Sequence, residues 1–192
     1  MEVRRLLDVG CGAGQELFPF TAQGALGVGV DVSPDAGLVA RRLYAQFQPE
    51  GRVVFVRAAA EQLPFSSESF DIIICRVALP YMDNRRALGE MSRVLRPEGR
   101  MLLKIHHARY YLQQLTRAVR RGMLRSMIHA MRVLLSGALY VLLGRPVLRR
   151  LLGTEIFQTR RSLQRAIHPM RIRCEIAVSN PQTPEFLIEK LR

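Results

Sequence analysis

The run Leu6-Leu7-Asp8-Val9 ends in Gly10-Cys11-Gly12-Ala13-Gly14, three glycines in five residues. An apolar segment that closes this way predicts a strand running into a tight turn. Glycine enters positive φ without steric cost and lets another group approach the backbone closely. A loop of this kind belongs at the carboxyl end of the first strand of a doubly wound sheet, the edge where such sheets bind nucleotides.

The first hundred residues fit that frame by alternating short β-rich runs with helical stretches. The first strand is predicted over Arg5 to Val9, and the helix after it is shortened by Pro19. Ala25 to Val32 reads as the second strand. Ser33-Pro34-Asp35 supplies an N-cap, an N1 proline and an acidic first turn for a helix to about Phe47. Strands three to five follow over Arg52 to Ala58, Phe70 to Cys75 and Arg100 to Ile105, with a helix from Asp83-Asn84 through Leu95 before the fifth. Arg171 to Ser179 and Glu185 to Leu191 form a terminal antiparallel pair around the turn Asn180-Pro181-Gln182-Thr183-Pro184. The fold class is therefore α/β, a Rossmann-like doubly wound sheet, mostly parallel, with a C-terminal antiparallel hairpin and a basic helical insert. The 192 residues suit one domain, with core 1–106 and 171–192 and the insert at 107–170.

Charge supports the division. Residues 100–173 hold sixteen Lys/Arg against a single Asp/Glu, while the flanking parts are close to neutral. Cys11, Cys75 and Cys174 lie far apart with no CxxC spacing, so neither a disulfide framework nor a zinc ribbon is expected, and no metal site is predicted. The N-terminus lacks the apolar h-region of a secretory signal, and the chain reads as cytoplasmic, with peripheral membrane contact as a second possibility.

For a nicotinamide enzyme the loop is a poor match to G-x-G-x-x-G, since the third glycine falls one place early, at Gly14. The sequence instead resembles the class I S-adenosylmethionine-dependent methyltransferases, in particular the small-molecule branch that includes quinone-biosynthesis-like enzymes. The resemblance rests on LLDVGCGAG, on GVDVS, on Ala60-Glu61-Gln62-Leu63-Pro64-Phe65 with Ser69-Phe70-Asp71, and on Ala87-Leu88 through Glu90 with Arg93 to Gly99. Together these cover about residues 5–105.

The resemblance implies S-adenosylmethionine as cofactor and a set of roles. Asp8 and the backbone of Gly10, Cys11, Gly12 and Gly14 would hold the methionine end, Asp8 partly by fixing the loop. Asp31 would bind the ribose hydroxyls, which also suits its place at the end of strand two. Ala60 and Glu61 would flank the adenine, and Arg76 would give backbone contacts near the sulfonium. Cys11 itself reads as a small space-filler. Two departures stand out: Ala59 replaces the usual acidic partner of the adenine amino group, and Pro97-Glu98-Gly99 replaces P-G-G. The family also carries helices ahead of strand one. Their place would be taken by residues upstream, by the insert as a cover, or by an open pocket.

Methyl transfer from a sulfonium requires positioning more than an elaborate catalyst, and a base only where the acceptor must lose a proton. Tyr81, His106 and His107 are the available bases, and none is assigned. In the insert, a single helix assumed over Arg117 to Leu135 places Arg117, Arg121, Arg125 and Arg132 within about 80° of arc, opposite Val119, Met123, Met127, Ala130 and Leu134, with Arg120 off the stripe and Gly122 as a point of interruption. Leu124, Ile128 and Leu135 intrude on the arginine face, which predicts partial burial on both sides. The apolar run Val133 to Leu143 is too short to span a bilayer. The insert reads as a lid over the sheet edge, as a contact with anionic membrane delivering a lipid-like acceptor, or as a nucleic-acid grip. The expected function is methyl transfer to a small or lipid-like acceptor, with an RNA methyltransferase and a non-catalytic partner protein as alternatives.

Overall fold

A computed structural model describes residues 3–47, 52–144, 155–168, 170, 172–178 and 183–191. Seven strands form one sheet: β1 (Arg5–Val9), β2 (Leu26–Asp31), β3 (Val53–Arg57), β4 (Phe70–Arg76), β5 (Leu95–Lys104), β6 (Ile172–Val178) and β7 (Glu185–Lys190). Their order is β3-β2-β1-β4-β5-β7-β6, parallel from β3 to β5, with β7 antiparallel to both β5 and β6. The order reverses at β1, so the loop after β1 opens at the crevice where doubly wound sheets take ligands.

The helices among the described residues are α1 (Phe18–Thr21), α2 (Pro34–Phe47), α3 (Asn84–Val94), α4 (Ala108–Arg120), α5 (Leu124–Leu143) and α6 (Arg160–Ile167). Pro19 lies in the first turn of α1, where its missing N–H costs no helical bond. Ser33 Oγ accepts from Asp35 N–H at the start of α2, and Asp83 accepts from Arg86 N–H at the start of α3. Thr159 and Ser162 form a reciprocal capping box on α6.

Side chains alternate across the sheet as strand geometry requires. Leu7 and Val9 join Ile73, Met91 and Leu103 on one face, and Leu6 joins Leu17, Tyr44 and Phe55 on the other. Both faces of β1 are thus covered, and Leu6, Leu7 and Val9 have no exposure at all.

Polar joinery ties the loops to this core. Asp71 accepts from the N–H groups of Arg4 and Arg5 and pairs with Arg96 at 2.6 Å, contacts that hold its carboxyl below the usual range. Glu90 accepts from Leu63 N–H at 2.8 Å and pairs with Arg93, which donates to the carbonyls of Leu63 and Phe65. These residues belong to the stretches that carried the family resemblance, and in the folded chain they are braces.

Three expectations are corrected. The predicted single helix over Arg117 to Leu135 is two helices, because Gly122 takes a left-handed conformation (φ +63°). Gly122 N–H bonds to Val119 O and Met123 N–H to Ala118 O, a Schellman stop that folds α4 back against α5. The intruding Leu124, Ile128 and Leu135 are exposed rather than partly buried on both sides. The apolar stretch is also longer than the run from Val133: α5 has 20 residues, enough for a bilayer by length and composition alone. At the other end of the sheet, Pro97 to Gly99 lies inside β5, and Glu98 sits at φ +63° where the family pattern has glycine. The residues of the turn 180–182 lie outside the described residues.

Candidate cofactor and acceptor site

The glycine loop is held by one internal bond, from Gly14 N–H to Cys11 O at 2.7 Å, and by its neighbours. The N–H groups of Gly10 and Cys11 both donate to Val30 O, and Tyr44 Oη donates to Gly14 O at 3.0 Å. Gly10 has φ +74°, and a Cβ there would collide with the Cβ of Ala78 in the loop after β4. Gly12, at φ +50°, has open space where a Cβ would stand.

Asp31 has a second task, that of a turn acid. Its Oδ2 accepts from Gly12 N–H at 3.0 Å and its Oδ1 from Ser33 N–H at 2.9 Å, so the carboxylate locks the loop to the start of α2. The Ser33 contact is local, two residues on, whereas Gly12 lies nineteen residues back and is met only in the tertiary fold. Each oxygen keeps further lone-pair capacity for hydroxyl donors.

Asp8 is 2% exposed, and its Oδ2 has no hydrogen-bond partner. Burial, reinforced by the charges of Glu16 and Asp31, pushes its carboxyl up to about 7, against a lowering pull from Arg76. A buried carboxylate oxygen without a partner is costly and fits a cationic ligand group. Arg76 makes a two-pronged contact with Glu16 at 2.7–2.8 Å and reaches Glu185 at 3.4 Å. Its guanidinium therefore joins the turn after the glycine loop, at Glu16, to β7, a role that its position after strand four did not disclose.

A cleft of about 370 Å³ opens above these residues. Its walls include Gly10, Asp31, Ala60, Glu61, Arg76 and Tyr81, which brings six of the residues singled out in the sequence to one hollow. Glu61 also accepts from Asp83 N–H at 2.7 Å, so it braces the approach to α3. Ala59, the departure from the family pattern, is exposed. Cys11 is buried, its thiol pushed up to about 12 mainly by burial, which leaves it inert and suits the space-filling role. A larger hollow of about 690 Å³ between α5 and α6 carries none of the predicted cofactor residues.

On the far side of Tyr81 lies a cluster around Glu155. Tyr111, fully buried, donates its phenol to Glu155 Oε1 at 2.6 Å. His129 Nε2 lies 3.3 Å from Glu155 Oε2, and Tyr81 stands near enough to feel the charge of the same carboxylate. Burial and this carboxylate push the Tyr81 phenol up to about 12. His106 Nδ1 is 3.3 Å from Tyr111 Oη, and its ring stacks on Tyr110. Because Tyr111 has one proton and gives it to Glu155, Nδ1 is the donor in the His106 contact, leaving Nε2 as the free acceptor. Burial lowers the pKa of both His106 and His107.

The strap from Glu155 to Thr159 places this cluster. Ile156 N–H bonds to Pro80 O and Gln158 N–H to His106 O, so the strap crosses the carboxyl ends of β4 and β5. No group of three or more metal-ligating side chains occurs among the described residues.

The sheet order, the glycine loop at the switch point and the acid at the end of β2 define a class I methyltransferase fold. The model of the methyltransferase-domain family matches residues 7–103, and the chain belongs to this S-adenosylmethionine-dependent family. An uncharacterised methyltransferase, YcgJ of Bacillus subtilis, is 41% identical over 105 residues, 54% of this chain and 41% of its own length. The demethylmenaquinone methyltransferase of Clavibacter sepedonicus is 37% identical over 100 residues, 52% of this chain and 40% of its own. A solved S-adenosylmethionine-dependent methyltransferase of Methanosarcina mazei superimposes with a TM-score of 0.67 at 19% identity, over 100% of this chain and 94% of that one. The chain spans about two fifths of the length of the curated relatives it matches.

Proposed function

We propose that this chain transfers a methyl group from S-adenosylmethionine to a small or lipid-like acceptor held beside Tyr81. The observation that carries the reading is the cleft itself, where Gly10, Asp31, Ala60, Glu61 and Arg76 line one hollow, with the partnerless buried oxygen of Asp8 one residue before its Val9 wall. Asp8 Oδ2 would take the methionine ammonium, and the backbone of Gly10, Cys11, Gly12 and Gly14 the rest of that end. Asp31 would accept from the ribose hydroxyls while holding Gly12. Ala60 and Glu61 would flank the adenine, and the Arg76 backbone would lie near the sulfonium.

The bound cofactor supplies a carbon already activated by a positively charged sulfur. The protein's part is then to orient the acceptor, exclude water and, for a hydroxyl acceptor, accept its proton. Tyr81 borders both the cleft and the Glu155 cluster, so an acceptor oxygen lodged there can hand its proton to that carboxylate network. The small-molecule character of the acceptor is supported by relatives such as the Clavibacter demethylmenaquinone methyltransferase.

The test pairs calorimetric titration of S-adenosylmethionine with transfer of labelled methyl to a panel of prenylated phenols. Micromolar binding and labelled product support the reading. Absence of binding to the full chain overturns it, and binding without turnover on any small acceptor overturns the catalytic part.

A further inference from the structure

We propose that the outer face of α5 and the α4–α5 turn dock on an anionic lipid bilayer, a property separate from methyl transfer. The stripe Leu124, Ile128, Met131, Leu135 and Leu142 falls within about 60° of arc on α5. It runs for about 27 Å along the helix. All five side chains are exposed, Leu124 by 65% and Leu142 by 78%. Soluble surfaces seldom carry so continuous an apolar row, and one this long marks an interaction site.

The opposite side of α5 is fully engaged. Ala130, Val133, Ser136, Gly137 and Tyr140 are buried there, and a Cβ on Gly137 would collide with the ring of Phe157 in the strap. The stripe is therefore the outer surface of an element whose inner surface covers the Glu155 cluster.

Charge selects the partner. No Asp or Glu occurs between Glu98 and Glu155, while eleven Lys or Arg do. Arg117, Arg120, Arg121 and Arg125 are exposed around the helix turn, and Arg125 and Arg132 border the apolar row at about 70–90° from its centre. Apolar side chains edged by arginines match a leaflet whose headgroups are negative and whose interior begins just below them. Although α5 is long and apolar enough to cross a bilayer, its inner face is committed to Phe157 and α4, and Arg125, His129 and Arg132 lie along its length. A helix lying in the plane of the interface satisfies all of these contacts at once.

The experiment is co-sedimentation of the full chain with phosphatidylcholine vesicles, with and without phosphatidylserine, over a range of salt. Binding is expected to require phosphatidylserine and to weaken as salt rises. It should drop on the order of fivefold for each of Arg120→Gln and Arg121→Gln. The triple variant Leu124→Gln, Ile128→Gln, Leu135→Gln should lose roughly tenfold or more in partitioning. Its circular dichroism and cofactor affinity should match the parent's, so that failure of the membrane site and failure of the cofactor site are read separately. The proposal is overturned by absence of binding to phosphatidylserine vesicles, or by binding that survives in the triple variant. It is equally overturned by a parent dimer, seen in sedimentation equilibrium, that the triple variant converts to monomer, because the stripe would then be the seat of a second copy.

Discussion

Asp31 Oδ2 accepts a hydrogen bond from the backbone N–H of Gly12 across 3.0 Å, which couples the acid at the end of β2 to the loop at the end of β1. Removing the carboxylate therefore does two things, freeing the loop and deleting an acceptor for the ligand. Asp31→Ala should lower cofactor affinity by about ten- to a hundredfold, the worth of a charge-assisted bond. It should also cost about 1–3 kcal/mol of stability, because two N–H groups lose their partner. Asp31→Asn retains one acceptor oxygen and should fall between. Titration calorimetry and chemical denaturation read the two effects independently, and an unchanged affinity in Asp31→Ala would remove Asp31 from the site.

Asp8 predicts a pH dependence. With the folded carboxyl near 7 and the unfolded one at 3.8, the native state holds a proton that the unfolded chain releases over that interval. Stability without ligand should therefore fall as pH rises from about 4 to 7, by up to ~1.4 kcal/mol per pH unit. A cationic ligand group needs the ionised form, so cofactor affinity should rise over the same interval as pH approaches 7 and then level off. Asp8→Asn should abolish both slopes, as followed by thermal melts with and without S-adenosylmethionine.

The Glu155 cluster should separate chemistry from cofactor binding. Glu155→Gln keeps the size of the side chain but removes the charge that Tyr111 and His129 face. Turnover of a hydroxyl acceptor is expected to fall on the order of a hundredfold. Cofactor affinity should stay within twofold or so, since Glu155 is not among the groups lining the cofactor cleft. Tyr111→Phe leaves a carboxylate oxygen short of its donor and should cost about 1–3 kcal/mol in denaturant unfolding. Equal loss of cofactor binding and turnover in Glu155→Gln would place the residue in the fold rather than in the reaction.

Gly10 is the most constrained position of the loop, with φ +74° and no room for a Cβ beside Ala78. Gly10→Ala should destabilise the chain by more than about 2 kcal/mol, combining left-handed strain with overpacking. Gly12→Ala, at φ +50° with open space around it, carries the strain alone. It should be milder in stability and more severe in cofactor affinity, and calorimetric Tm set against Kd for the two variants checks the contrast.

Local pattern in the sequence was enough for the five parallel strands, the helices from Pro34 and Asn84, the terminal hairpin and the glycine loop. Each depends on neighbours a few residues apart: alternation along a strand, a cap before a helix, glycine where φ must be positive. The same locality placed Asp31 at the end of its strand, where an acid can meet a ribose. Contacts between distant segments lay beyond that reach. Whether Gly122 would bend or break the basic helix depended on α4 finding α5 to pack against, and the exposure of Leu124, Ile128 and Leu135 depended on which face that packing consumed. The Arg76–Glu16–Glu185 junction, the loop lock by Asp31 and the Tyr81–Glu155–Tyr111 cluster join residues up to 109 positions apart. A one-dimensional pattern records which side chains can bond, but the partner each one meets is decided by the tertiary fold, because buried polar groups take whichever donor or acceptor the packing of the core brings within reach.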